Sequence, residues 1–326
     1  LTGRNFINFN GAYLTKAPTM RNTFFNARLN NNVVDDIQSE NVSSMDLSYI
    51  LRTPTFKLKL TGFFTRVRNA TTNTFFFADA VLDEGGDGAE SAFVAQTMTE
   101  VGRRNMGLEF GSEYQITSTL KATIAASYGE YIFDGNPNLF LNSDSTAADN
   151  AEILNPVSSR GKALIDNYRQ AGMPQQAYSF GLEYRDPKFW WIGANVNYLA
   201  DTYIDIAPLL RTNDFVTNFE DPFDLPFPEA TPQRTRELLK QEKFDPYTLV
   251  NLTGGKSWRI KGNTFGFFAS INNVFDTEYK TGGFEQARNA NFRELNQDVS
   301  SGTPAFGNRY FYGFGRTYFI NLYINF

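Results

Sequence analysis

Alternation of apolar and polar residues is the dominant pattern of this sequence. The clearest case is the last segment, where every second residue is apolar: Tyr318, Ile320, Leu322, Ile324 and Phe326. The positions between them include Asn321 and Asn325. Because successive side chains of a β-strand point to opposite faces, this spacing predicts a strand with one apolar face and one more polar face.

The same pattern predicts ten strands, and the segments between them alternate strictly in length. The predicted strands are 5–14, 43–52, 54–68, 102–117, 119–133, 176–186, 188–202, 246–260, 263–276 and 309–326. The long connections are 15–42, 69–101, 134–175, 203–245 and 277–308, and the others are tight turns. In an antiparallel meander this alternation puts every short turn at one rim and every long loop at the other, as in outer-membrane barrels.

Composition narrows the fold class to an all-β, antiparallel transmembrane β-barrel. The chain has 32 Phe and 16 Tyr but a mean hydropathy of −0.38. No apolar run approaches the roughly 18 residues that a membrane-spanning helix needs. Strands with one apolar face can cross a bilayer only in a closed sheet, because closure leaves no unpaired backbone edge in lipid. We therefore expect residues 1–326 to form one barrel portion, integral to a bacterial outer membrane.

Two absences and the charge reduce the possible functions. The chain has no Cys and no His, which removes thiolate and imidazole chemistry and leaves no residue set that singles out an enzyme. We expect neither catalysis nor a cofactor. The net charge of −5 argues against nucleic acid as a partner.

Candidate functional residues follow from the predicted faces. Polar residues expected to face the lumen, where they would contact either water or a plug, are Glu109, Glu113, Glu183, Arg185, Asn195, Asn197 and Arg259. Aromatic residues expected at the membrane interfaces are Tyr128, Trp190, Tyr198, Trp258 and Tyr318. Phe326 is expected to be the barrel-assembly terminus.

Loop residues give weaker hypotheses. Asp83, Glu84, Asp87 and Glu90 cluster in a Gly-rich segment that could hold calcium, although a solvated acidic tip is the favoured interpretation. The acidic stretch from Asp214 to Glu229 could guide a cationic ligand, but a polar surface loop is again favoured. Thr231 followed by Pro232 predicts a capped short helix, and 163–170 is a second helical candidate.

Several motifs resemble TonB-dependent outer-membrane transporters. These are Asn272-Asn273-Val274-Phe275-Asp276, the segment from Phe314 to Phe319, and the final aromatic residue Phe326. The segment before the second strand is similar in layout to that family's Pro-Glu motif, although the Pro is missing before Glu40. The stretches 178–191, 251–258 and 283–289 resemble a Bacteroidetes branch of the family.

The resemblance implies active nutrient uptake across the outer membrane. It implies a barrel of about 22 strands, of which this chain supplies the last ten, with an upstream plug and barrel half that are not in this chain. Implied partners are outer-membrane lipid, the TonB complex and a possible surface lipoprotein. The rival hypothesis is a self-contained ten-stranded barrel serving as an adhesin or structural protein, which would require 6–13 to pair with the terminal strand.

Overall fold

A computed structural model describes residues 3–28, 31–79, 91–143 and 157–326, and it consists mainly of antiparallel strands. The strands are β1 (Asn5–Lys16), β2 (Glu40–Arg52), β3 (Phe56–Asp79), β4 (Ser91–Gln115), β5 (Leu120–Phe133), β6 (Asn138–Ser143), β7 (Val157–Lys162), β8 (Gln176–Asp186), β9 (Trp190–Ala200), β10 (Tyr247–Ile260), β11 (Asn263–Asn272), β12 (Lys280–Phe284), β13 (Arg309–Tyr312) and β14 (Thr317–Asn325). The α-helices are α1 (Met20–Thr23), α2 (Pro232–Leu238) and α3 (Phe292–Ser300).

One sheet dominates the fold. Its strands follow the order β1-β2-β3-β4-β5-β8-β9-β10-β11-β14, and every neighbouring pair is antiparallel. Each of the ten predicted segments overlaps one strand of this path, so the all-β, antiparallel prediction is confirmed. Among the described residues, β1 pairs only with β2 and β14 pairs only with β11, which leaves these two strands as the edges of the sheet.

The register fixes the two faces of the sheet. Glu109 lies opposite Ser127, and the next pair along the ladder is Leu108 opposite Tyr128. This alternation separates a polar face from an apolar face across neighbouring strands. Apolar-face side chains stay exposed, with Phe9 at 69% and Leu322 at 78%. An exposed apolar face of this extent is typical of contact with lipid or with another protein.

Two connections differ from the prediction because strands continue into them. β3 and β4 have 24 and 25 residues, so the ends of the predicted loop 69–101 are strand. With 24 residues, β3 is more than twice as long as the 9–11 residues that a strand needs to cross a bilayer. At about 3.3 Å per residue it is roughly 80 Å long. Strands β6 and β7 add to this extension within 134–175, since β6 pairs with β4.

The predicted last strand is wrong in its first half. Residues 309–312 form β13, which pairs with β12 in a separate two-stranded sheet, and only β14 continues the main sheet. The side-chain Nδ2 of Asn273 donates to the carbonyl oxygens of Thr277 and Phe314. Asp276 Oδ1 accepts from the backbone N of Arg316 at 2.6 Å. These bonds hold residues 313–316 out of the strand ladder, which gives the Asn-Asn-Val-Phe-Asp motif a structural role here.

Of the two helices that the sequence predicts, one is present and one is absent, and a further helix is present that was not predicted. Thr231 caps α2 as predicted, because its hydroxyl accepts from the backbone N of Arg234. The predicted helix 163–170 is wrong, since Asn167 has φ +66° and the Asp166 backbone N bonds instead to the Asn136 side chain. Helix α3 was not predicted, although Asn291 and Glu294 form a capping box at its start.

Packed cores lie under the long connections and not between sheets. One core joins the extended parts of β3, β4 and β6 to the 163–165 and 206–209 segments. The second core lies between 207–239 and α3, with Phe215, Phe227 and Phe292 at its centre. None of the helices in the described ranges is long and apolar enough to cross a membrane. The described parts of the connections therefore have packed cores of their own.

Candidate functional site

A row of alternating charges crosses the polar face near the short-turn rim. The Lys57 ammonium lies 2.9 Å from Glu113, and the Lys121 ammonium lies 3.7 Å from Glu113 and 3.7 Å from Glu183. Arg185 closes the row with its Nε 2.7 Å from Glu183. We call these five residues the charge row. It spans strands β3, β4, β5 and β8, because each strand carries its polar residue at the same level.

The charge row makes this part of the polar face strongly charged but contributes little to the free energy of unfolding. Its side chains remain 23–63% exposed, and partly exposed ion pairs contribute about 0–1 kcal/mol each. At one end of the row, the Arg185 guanidinium lies 5.2 Å from the centre of the Trp191 ring. Trp191 in turn stacks on Phe268. Water or a polar protein segment is the kind of neighbour that this row fits.

The remaining predicted lumen residues lie on the same face but outside the charge row. Glu109 and Asn197 line a shallow cavity in the middle of the sheet. Asn195 lies opposite Gly181 on one side and Asn251 on the other. Arg259 lies near the end of β10, opposite Thr264. Their roles as lumen or plug contacts stay predictions.

The predicted interface aromatics lie on the apolar face. All five are at least partly exposed, namely Tyr128, Trp190, Tyr198, Trp258 and Tyr318. Phe326 follows β14 and is 98% exposed. Their membrane and assembly roles stay predictions.

Of the two acidic stretches that the sequence singles out, only the one from Asp214 to Glu229 lies among the described residues. The calcium candidates Asp83, Glu84, Asp87 and Glu90 lie outside the described residues. Within the ranges that the structure describes, no group of three or more acidic side chains is placed to hold a metal ion. In the second acidic stretch, Glu229 pairs with Arg293 at 2.8 Å and Asp214 with Arg160 at 3.3 Å, so two of its carboxylates have protein partners.

A buried ion pair joins two of the long connections at the opposite rim. We call the folded parts of residues 203–245 and 280–312 the loop assembly. The Arg211 side chain is only 1% exposed, and its two Nη atoms both donate to the Glu285 carboxylate, one of them at 2.7 Å. The same guanidinium donates to the carbonyl oxygens of Ala207 at 3.2 Å and Leu239 at 3.0 Å. Bidentate pairing and backbone acceptors satisfy most of this buried cation.

A second group of polar contacts, centred on Glu242, holds the β12–β13 hairpin against the connection 203–245. The Glu242 carboxylate accepts from Asn308 and Tyr310, both at 2.8 Å, and from Lys280 at 3.2 Å. Burial alone would raise the pKa of Glu242, but these three donors outweigh it and lower the pKa. Lys280 also lies 3.4 Å from the Tyr310 ring centroid. The hairpin is therefore fixed by charge-assisted bonds.

A cavity opens between the loop assembly and the polar face of the sheet. It has a volume of about 490 Å³, and we call it the loop cavity. Its polar and charged lining consists of Arg103, Gln170, Asp205, Thr281 and Arg288, with Phe133, Phe284 and Phe311 as aromatic walls. Three separate connections and two main-sheet strands supply these residues. No pattern in the sequence indicated this cavity, because its lining residues follow no shared spacing.

The architecture defines the class of protein. Long antiparallel strands, short turns at one rim and folded connections at the other are typical of outer-membrane β-barrels. The family model described as "TonB dependent receptor-like, beta-barrel" matches residues 7–274, and the chain belongs to this family of outer-membrane transporters. The predicted TonB-dependent family is thereby confirmed, and the outer membrane is where this family is found.

Solved structures support the fold. The chain aligns over 99% of its length with a structure entitled "Copper transporter OprC", at 16% identity and a TM-score of 0.52. It also aligns with the ferric-catecholate import receptor Fiu of E. coli K12 (14%, 0.52) and with BauA, the ferric preacinetobactin receptor of Acinetobacter baumannii (12%, 0.51), in both cases over 99% of this chain.

The three alignments cover 37%, 33% and 34% of those chains, so this chain spans about a third of their length. Curated proteins gave no significant sequence match.

Proposed function

We propose that this chain supplies barrel wall and ligand-facing loops to a transporter that imports a nutrient across the outer membrane, driven through the TonB complex. The family match over residues 7–274 is the observation that carries the proposal. The folded connections support it, because transport by this class requires loops that can hold a ligand at one rim while the strands span the membrane.

The edges of the sheet support a larger barrel. β1 and β14 each have one partner strand among the described residues, and β1 does not pair with β14. Backbone groups on a strand edge cannot stay unpaired in lipid. We therefore propose that further strands, about twelve, complete the barrel and that a plug fills its lumen against the charge row. The self-contained ten-stranded barrel is disfavoured, since it needs the β1–β14 pairing.

Two finer parts of the proposal rest on sequence motifs alone. The stretches 178–191, 251–258 and 283–289 suggest a Bacteroidetes-like branch, and with it a surface lipoprotein partner. A metal chelate, a glycan and a peptide are each compatible with the composition of the loops.

An uptake assay tests the proposal. The full-length gene is expressed in cells with and without a functional TonB complex, and accumulation of labelled metal chelates, oligosaccharides and peptides is measured. We expect at least one ligand to accumulate only when both the protein and TonB are present. Accumulation that persists without TonB, or no dependence on the protein for any ligand in the panel, would overturn it.

A further inference from the structure

The loop cavity has the size and the lining of a small-ligand site. Its volume of about 490 Å³ lies within the range of known ligand pockets, roughly 300–1,000 Å³. Three phenylalanine rings and a few polar groups line it, which is the usual mixture in such sites. The cavity lies at the rim that carries the long connections, so a ligand there would contact several of them at once.

The lining has more positive than negative charge. Arg103 projects from β4 and Arg288 from the segment after β12, while Asp205 is the one carboxylate among the described lining residues. Within the part of the chain that the structure describes, no salt bridge to Arg103 or Arg288 is formed. Two guanidinium groups therefore face this cavity without full neutralisation.

Arg288 is held in place by aromatic rings and not by an ion pair. Its guanidinium carbon lies 4.6 Å from the centre of the Phe284 ring and 5.6 Å from that of Phe76. Such contacts orient a guanidinium and remove part of its water, but they leave its N–H donors available. Burial lowers the pKa of Arg288, although Asp205 opposes this effect.

Backbone hydrogen bonds hold the Asp205 side of the loop cavity against β12 and the residue that follows it. The Asp205 backbone N donates to the carbonyl oxygen of Gly283 at 2.9 Å, and the Glu285 backbone N donates to the Asp205 carbonyl oxygen at 3.1 Å. Glu285 in turn holds the buried Arg211. Burial, with the nearby Glu285 charge, raises the pKa of Asp205 above its ordinary value of 3.8.

We propose that the loop cavity is a binding subsite for an oxyanion, a carboxylate or phosphate group carried on a flat apolar body. Arg103 and Arg288 donate hydrogen bonds to the oxyanion, and Phe133 and Phe311 contact the apolar part. Hydrogen bonds from a charged donor to a carboxylate or phosphate are shorter and stronger than those between neutral groups. The subsite rests on the proposed transport function, since it places the imported ligand among the loops.

Binding of small probes to the purified full-length protein in detergent tests the proposal. The probes are phthalate and phenyl phosphate, which separate the carboxylate source from the phosphate source, with neutral benzamide and cationic benzylamine for comparison. Affinity is measured by calorimetry and by saturation-transfer NMR. We expect at least one anionic probe to bind at least about tenfold more tightly than benzamide or benzylamine.

Variants locate the binding. Arg288→Gln and Arg103→Gln should each weaken the anionic probe about tenfold or more, because each removes a charged donor. Arg236→Gln is the matched control, since Arg236 is exposed on α2 and does not line the cavity, and it should leave binding unchanged. Near-UV circular dichroism of each variant checks that the loop assembly is intact. If the spectrum of Arg288→Gln differs from that of wild type, Arg288→Lys is compared with it. Arg288→Lys keeps the positive charge and should bind the anionic probe more tightly than Arg288→Gln.

Three results would overturn the subsite: equal binding of benzamide and the anionic probes, no binding of either anion, or equal weakening by Arg236→Gln and the cavity variants. Preferential binding of benzylamine would assign the cavity to a cation through Asp205 and would also refute it. The outcome is separate from that of the uptake assay, because TonB-dependent uptake can persist when these probes fail to bind, and probe binding can persist when uptake is TonB-independent.

Discussion

Removing one charge of the buried Arg211–Glu285 pair should loosen the loop assembly. Glu285→Gln keeps the shape of the side chain but leaves a cation that is 1% exposed without its counter-ion. Loss of one partner of a buried ion pair costs about 3–5 kcal/mol. The Ala207 and Leu239 carbonyl oxygens still accept from Arg211, so we expect a value near the lower end, about 3 kcal/mol.

Hydrogen exchange is the suitable assay, because the loss is local to the loop assembly. Local opening free energies are set by the contacts of each segment, and the main sheet does not depend on this pair. A cost of about 3 kcal/mol corresponds to about hundredfold faster exchange of amides in 205–211 and 283–285. Amides of β10 and β11 should keep their wild-type exchange rates.

A matched control is available in the same assembly. Glu229→Gln removes the Arg293 pair, in which both side chains are 42% exposed, and exposed pairs contribute about 0–1 kcal/mol. If Glu285→Gln accelerates exchange no more than Glu229→Gln does, the assigned importance of the buried pair is wrong. Replacing both Arg211 and Glu285 with apolar residues of similar volume should recover much of the loss, since no buried charge then remains.

Three further predictions follow from the sheet faces, the hairpin and the loop cavity. Leu322→Arg should destabilise the folded protein in bilayers by about 2–4 kcal/mol, whereas Asn321→Arg on the opposite face should have a small effect, as measured by urea unfolding in vesicles; equal effects would contradict the assignment of faces. Gly283→Ala should disrupt β12–β13 pairing, because the added Cβ would collide with the backbone of β13. Gly282→Ala is the control, since a Cβ there would lie 3.6 Å from its nearest neighbour. Equal protease sensitivity of 280–312 in the two variants would refute this. Since the folded state raises the pKa of Asp205, it binds that proton more tightly than the unfolded state, so Asp205 contributes stability to the loop assembly that grows as pH falls from neutrality through the raised pKa towards the ordinary value of 3.8. Glu242, whose pKa is lowered, contributes in the opposite direction, so wild type is compared with Asp205→Asn and should gain stability relative to that variant as pH falls. Identical pH profiles of exchange in the two proteins would count against this.

The sequence alone determined the positions of the ten strands of the main sheet and their faces, but not the full length of each strand. Both depend on local information, since the two-residue period of a strand shows in any ten consecutive residues and tight turns mark where it stops. The pairs Glu109–Ser127 and Leu108–Tyr128 lie on the faces that alternation predicts. The capped start of α2 at Thr231 was predictable for the same reason, because a cap and its helix are adjacent in sequence.

Only the tertiary structure decided how the connections fold. Arg211 and Glu285 are 74 residues apart in the sequence, and neither has a pattern around it that names the other. The break between β13 and β14 depends on Asn273 and Asp276, whose partners lie about forty residues further along the chain. The loop cavity combines residues of β4, β5 and three connections. Such contacts are long-range and individually irregular, whereas the period of a strand is repeated and local. The sequence therefore predicts the strands of the main sheet, and only the folded structure brings the lining of the loop cavity together.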